Sequence, residues 1–342
     1  MSGAPGSLTA QSAGQLALTT RDILIALGLG LIAAIVFVSA TTGPLPIRVI
    51  LFLITPLPLA LAGLGWGVRA SLIAGFAGAA LLAAVAPMVA AIFLASQALP
   101  VTVLCYLAML SRPVAAADTE PSAPALEWYP PGRLVVWAAI VAAIPAAVWS
   151  LIADTKSDEI KTVLATALET ALKASAVEVP GGGTWTAEKI SELAAGIYAI
   201  LPAGSAIAWM SGLLVTLWLA ARIMLASGQL GRPWPDLAAL QFPPGTALAF
   251  LAVALASFVG GPAGLVGRAF FGAFLLAYLL LGLAIIHYIS RGTNWRTFAL
   301  WTLYAGMLFI SLLVALPILL LGLSDSWSQL RRRYGGPPVA PS

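Results

Sequence analysis

Residues 153–193 read ADTKSDEIKTVLATALETALKASAVEVPGGGTWTAEKISEL, and this is the one long stretch of the chain that a bilayer could not hold. Asp154, Asp158, Glu159, Glu169, Glu178, Glu188 and Glu192 all fall in it, out of thirteen acidic residues in 342. So do Lys156, Lys161, Lys173 and Lys189; every other basic residue is an arginine. Ile160, Val163, Leu164, Leu168 and Leu172 recur at helical spacing between these charges, which predicts an amphipathic helix over about 158–176. Pro180 and the run Gly181–Gly183 should end it, and a second short helix is expected from Thr186.

On both sides of this insert the sequence returns to long apolar runs. The chain is 61% hydrophobic and 9% charged, with a mean hydropathy of +0.99. Such a composition excludes a water-soluble globular domain. The runs are roughly 15 to 25 residues long, about what a helix needs to cross a bilayer. They lack the dyad alternation of a membrane barrel. The fold class expected is therefore all-α: a polytopic transmembrane bundle of about nine spans, with one extracytoplasmic amphipathic insert.

The organisation follows from the runs. Residues 1–20 are small and uncharged and read as a disordered tail. Residues 21–152 hold five spans: Ile23–Ala40, Ile47–Trp66, two between Ala70 and Leu110, and Leu134–Ile152. Residues 112–133 form a proline- and alanine-rich loop with no regular structure expected. After the insert, 194–323 hold spans six to nine: Ala195–Leu225, a short run Thr246–Val259, Arg268–Ser290 and Phe298–Gly322. A basic tail, 324–342, closes the chain. Ser326 and Gln329 have capping-box spacing, so a short helix is expected from Trp327.

Arginine sets the orientation. With the N-terminus in the cytoplasm, nine crossings put Arg69, Arg112, Arg133, Arg222, Arg232, Arg291 and Arg296 inside and the acidic insert outside, as positive-inside bias requires. Arg331, Arg332 and Arg333 then lie outside. Eight crossings would bring them in, at the cost of moving Arg291 and Arg296 out. Nine is the favoured count, and the net charge of +4 needs no nucleic-acid partner.

Catalytic signatures are scarce. There is no HExxH, GxSxG or P-loop motif. Cys105 and His287 are the only residues of their kinds, which excludes an intramolecular disulfide and a multi-histidine metal site. A serine–histidine intramembrane protease would pair Ser205 or Ser211 with His287, but Trp209 stands where a GxSG motif needs its first glycine. No enzymatic activity and no cofactor are expected.

What remains points to ligand handling or docking. Pro56 and Pro58 should break the second span, Pro100 should disturb the fourth, and Pro202 lies in the sixth. Broken helices at membrane depth need protein or a water-filled cavity around them. Pro56, Pro58, Trp66, Pro202 and Arg268 are thus candidates for a ligand cavity, with the amphipathic helix as a lid or a surface float. Ala26, Gly30 and Ala34 form a small-residue ridge on the first span, suited to close packing inside the chain or against a partner's helices.

Pro56-Leu-Pro58, the long span with Pro202 and Leu219-Ala-Ala-Arg222, and the ending Gly322-Leu-Ser-Asp325-Ser-Trp327 followed by Arg331 together resemble the YybS-like family of bacterial membrane proteins, the domain-of-unknown-function 2232 family, over about residues 20–333. Asp325, Trp327 and Arg331 are the most specific part. The front half is similar to substrate-capture subunits of energy-coupling-factor transporters. That similarity implies a first-helix ridge, here Ala26, Gly30 and Ala34, docking on a coupling membrane subunit that a separate ATPase drives. The reading of a different class is a non-transporting scaffold of the cell envelope.

Overall fold

The structure, a computed structural model, describes residues 18–114, 125–175, 184–310 and 312–328. They form two compact units. The first is drawn from the chain up to Leu134 and from Ser211–Pro235, the second from Val135–Met210 and from Asp236 onward. Among the described residues six helical stretches are long and apolar enough to cross a membrane, and three more apolar helices are shorter. The chain is a multispanning all-α membrane protein. The N-terminal tail, Pro180 with its glycine run, Gln329 and Arg331–Arg333 lie outside the described residues.

In the first unit, α1 (Thr20–Ser39) starts on a capping box: Asp22 N donates to Thr19 Oγ1 at 3.2 Å, and Thr19 N donates to Asp22 Oδ2 at 2.9 Å. The second span is divided, as expected, into α2 (Leu45–Ile54) and α3 (Leu57–Trp66) at Thr55–Pro56. Gly67, at φ 87°, turns the chain into α4 (Val68–Ala83). The fourth span runs as α5 (Pro87–Phe93), a π turn (Leu94–Ala98) and α6 (Leu99–Ala108). Pro100 has no N–H to give the carbonyl four residues back, and the ladder just before it slips to the longer spacing, Leu99 N–H donating to Leu94 O.

The 112–133 stretch corrects its expectation. It opens with an antiparallel pair, β1 (Ser111–Val114) and β2 (Ala125–Trp128), registered Ser111 to Trp128 and Arg112 to Glu127. Arg112 and Glu127 bridge it at 2.6 Å, and the carboxylate holds the guanidinium above its ordinary pKa. Neither Ser111–Val114 nor Ala125–Trp128 alternates apolar with polar residues, so the pairing leaves no period of two in the sequence.

Small residues set the packing of this unit. A Cβ on Gly30 of α1 would strike the Ala74 backbone of α4, and one on Gly78 would meet the Gly30 carbonyl at 2.7 Å. Down α4, Gly78 faces Phe93, Gly75 faces Ala98, and Ser71 Oγ lies 2.8 Å from Thr102 Oγ1. The fourth span therefore descends antiparallel to α4. Ser71 Oγ also donates to Leu59 O at 3.3 Å, and Cys105 Sγ approaches Ala60 O at 3.8 Å, so α3 and α6 run in parallel.

In the second unit, α7 (Pro131–Asp154) leads to α8 (Ser157–Ser175), the amphipathic helix, close to its predicted bounds. Next, α9 spans Ala187–Ala226 as one helix of 40 residues, belonging to this unit up to Met210 and to the first unit from Ser211. This corrects the expectation of a short helix followed by a separate span. Thr186 Oγ1 caps it by accepting from Lys189 N at 3.3 Å, and Pro202 lies inside it, where it removes one ladder donor and its ring crowds the carbonyl four residues back.

The remaining helices are α10 (Thr246–Ala256), α11 (Gly261–Ile289), α12 (Arg296–Phe309) and α13 (Leu312–Ser328). The eighth span begins earlier than expected, so Arg268 lies about two turns inside α11. Segment 236–256 follows α11 along its length. Asp236 bonds Arg291 just past one end, Phe242 and Phe250 pack on Tyr278, Phe250 stacks on Phe271 at 5.6 Å, and Gly267 faces Ala256. The apolar run is short because a 3-10 turn at Leu237–Ala239 and irregular backbone before α10 cover part of that length.

The expected ninth span is two helices, a further correction of boundaries. Tyr304 of α12 bonds His287 near the end of α11, and Gly306 faces Val314. α13 alone runs antiparallel to α11, with Ile318 opposite Gly282 and Gly322 opposite Tyr278. Helix α13 continues through Ser328, so Ser326 does not start a new helix.

A candidate ligand layer in the first unit

Thr55–Pro56 and the π turn occupy the same depth of the first unit, by two routes. From the Leu59–Ser71–Thr102 contacts, stepping back about five residues along both parallel helices reaches Ile54–Thr55 on one and Gln97 on the other, about 7 Å away. From the opposite direction, Phe37 packs on both Phe52 and Phe93, at 6.3 and 5.4 Å. Pro56 and Gln97 each lie four residues beyond. The interrupted helices thus share a layer bounded by an aromatic cluster on one side and a hydroxyl pair on the other.

The layer is buried and has no charge. Thr55, Pro56, Pro58, Ser96, Gln97 and Pro100 are all buried. Thr55 Oγ1 donates to Leu51 O at 2.8 Å. Ser96 Oγ and Gln97 Nε2 have no hydrogen-bond partner, although Ser96 is 3% and Gln97 1% exposed. An unpaired buried polar group costs about 1–3 kcal/mol. Gln97 did not figure among the sequence candidates. Its signal was a lone amide in an apolar run, three residues before a proline.

The sequence candidates divide between the units. Pro56 and Pro58 belong to this layer, while Trp66 lies at the far end of α3, about 15 Å along the axis. In the second unit, Arg268 and the Pro202 turn do come together. Arg268 donates from Nη1 to Ala199 O at 3.4 Å and from Nε to Gly264 O at 3.2 Å, and Gly272 faces the Ala203 backbone. Nearby, Tyr198 Oη donates to Asp154 Oδ1 at 3.0 Å, and Lys161 of α8 lies over the Tyr198 ring. α8 is tied to α9 by this contact, although Val163 on its apolar stripe is 63% exposed.

Ala26, Gly30 and Ala34 are buried within the unit, with Gly30 against α4. The close approach that the ridge permits is used inside the chain. Asp325 is half-buried on α13, the Trp327 backbone is in its last turn, and Arg331 is outside the described residues. His287 Nε2 is 2.8 Å from Tyr304 Oη, and Ser205 Oγ donates to Pro202 O within its own helix. Among the described residues no three His, Cys, Asp or Glu side chains are grouped to hold a metal. At the end of α6, Arg232 donates to Ala108 O at 2.6 Å and lies over the Trp128 ring. Burial pulls the Arg232 pKa down, so the carbonyl and the ring face compensate a partly desolvated cation.

No curated protein and no solved structure matches this chain. The family model described as "Predicted membrane protein (DUF2232)" matches residues 31–326. Lipid-length helices, proline-interrupted spans and a sequence match over most of the chain agree, and the protein belongs to the DUF2232 family of predicted membrane proteins.

Proposed function

We propose that this protein is a transporter-type membrane protein of the bacterial inner membrane, whose first unit binds a small molecule between interrupted helices. One observation carries the reading: the break at Thr55–Pro56 and the π turn at Leu94–Ala98 share a depth. Discontinuous helices near the middle of a bundle are how many transporters expose backbone and side-chain polar groups to a substrate. Six lipid-length helices and three shorter apolar ones among the described residues support nine crossings, and the arginine distribution supports a cytoplasmic N-terminus with α8 outside. The course of 236–256 along α11 supports counting the short seventh run among them.

Energy would come from a separate ATPase and coupling membrane subunits, as in the transporters that the front half resembles. Because α4 covers the α1 ridge, such subunits would dock elsewhere.

Cysteine accessibility tests the proposal. With Cys105 replaced by alanine, Thr55→Cys should react with a small hydrophilic thiosulfonate from at least one side of sealed vesicles. Phe76→Cys, on an exposed apolar position, should stay inert. If Thr55→Cys is silent from both sides, the layer is dry packing and the transporter reading fails.

A further inference from the structure

Two adjacent side chains in the first unit each carry a buried polar atom without a hydrogen-bond partner. Serine and threonine hydroxyls buried elsewhere among the described residues have partners: Thr55 on Leu51 O, Ser71 on Thr102, Ser150 on Ala146 O, Thr216 on Gly212 O. Ser96 Oγ and Gln97 Nε2 have none. They sit together on the π turn, a distortion that recurs at functional sites because it re-aims side chains out of the regular ladder. A buried amide nitrogen without a hydrogen-bond partner in an apolar bundle calls for an explanation.

We infer that Gln97 and Ser96 are contact residues for a small uncharged ligand bearing hydroxyl or amide groups, bound between the Phe37–Phe52–Phe93 cluster and the Ser71–Thr102 pair. The inference deepens the transporter reading and rests on it only for how the ligand arrives. Neutrality follows from the surroundings. The buried polar side chains of this unit are Thr55, Ser71, Ser96, Gln97, Thr102 and Thr216, and none of them can carry a compensating charge. An ionic ligand there would be desolvated without a counter-charge. A neutral one gains two donors from the Gln97 amide nitrogen and a rotatable hydroxyl from Ser96, with aromatic faces for its apolar part.

The test uses the full chain, purified in mild detergent from the membranes that made it. Native mass spectrometry reads what it retains, and chromatography with mass detection identifies the compound released by heat. The expected result is a neutral organic compound on the wild type. In Gln97→Leu its occupancy falls by about tenfold or more, the loss set by one buried hydrogen-bonding group, while the variant still elutes as a monodisperse folded protein. Should Gln97→Leu not fold, Ser96→Ala gives the same reading with a smaller change in volume. A wild type that retains only water overturns the inference, more so if Gln97→Leu is then the more heat-stable. An ionic compound overturns the assigned class. A neutral compound lost from Gln97→Leu, together with a silent Thr55→Cys, upholds the site and removes the transporter reading.

Discussion

Arg291 grips both carboxylate oxygens of Asp236, 55 residues apart in sequence, and so pins the start of segment 236–256 beside the end of α11. The guanidinium hydrogen bonds hold the Asp236 carboxyl below its ordinary 3.8. A depressed acid adds stability above its unfolded pKa, and that share is lost as pH falls through the folded value. Both side chains are nearly half exposed, which limits the pair to about 1 kcal/mol or less. Asp236→Asn should therefore lower the thermal midpoint at pH 7. The gap to wild type should close below about pH 4, as the native carboxylate is titrated. Melting curves of both proteins from pH 3 to pH 7 check this, and a constant gap would refute it.

Gly30 and Gly28 make a paired test of the α1–α4 seam. A Cβ at Gly30 meets the Ala74 backbone, whereas one at Gly28 meets nothing within 4 Å. Gly30→Ala should destabilise by about 1–3 kcal/mol, the usual result of overpacking. Gly28→Ala should be neutral or slightly stabilising. Thermal denaturation in detergent, read by monodisperse elution, separates them.

The Ser71–Thr102 pair closes the candidate layer on one side, and Ser71 Oγ also reaches Leu59 O. A double-mutant cycle with Ser71→Ala and Thr102→Val should give a coupling of about 0.5–1.5 kcal/mol, the range for hydroxyl bonds between membrane helices. Additive effects would mean that the two hydroxyls do not interact.

Orientation is checked at Thr170, an exposed position on α8. In a Cys105→Ala background, Thr170→Cys should label with an impermeant maleimide in intact spheroplasts. Labelling only after lysis would reverse the topology.

Much of this architecture is local and was legible from residue order. Charge and hydropathy along the chain separate lipid-length helices from α8, whose apolar residues recur between lysines and glutamates, and Pro56 marks the division of α2 from α3 because a proline has no N–H. Boundaries that local rules left open went differently. Thr186 starts the 40-residue α9 rather than a short helix, α12 and α13 divide what reads as one apolar run, and β1 and β2 pair across residues that look like loop. The candidate layer was half legible: Pro56, Pro58 and Pro100 announce distorted helices, but nothing in their order says that the distortions meet. That depends on Gly30, Gly75 and Gly78, where missing side chains let backbones approach and set each helix's height against the next. In a chain this apolar, every helix face suits lipid almost as well as protein, so periodicity cannot tell the ridge of Ala26, Gly30 and Ala34 from an open docking surface. Packing against Ala74 decides that the ridge is interior, and the same packing leaves the Gln97 amide buried without a partner.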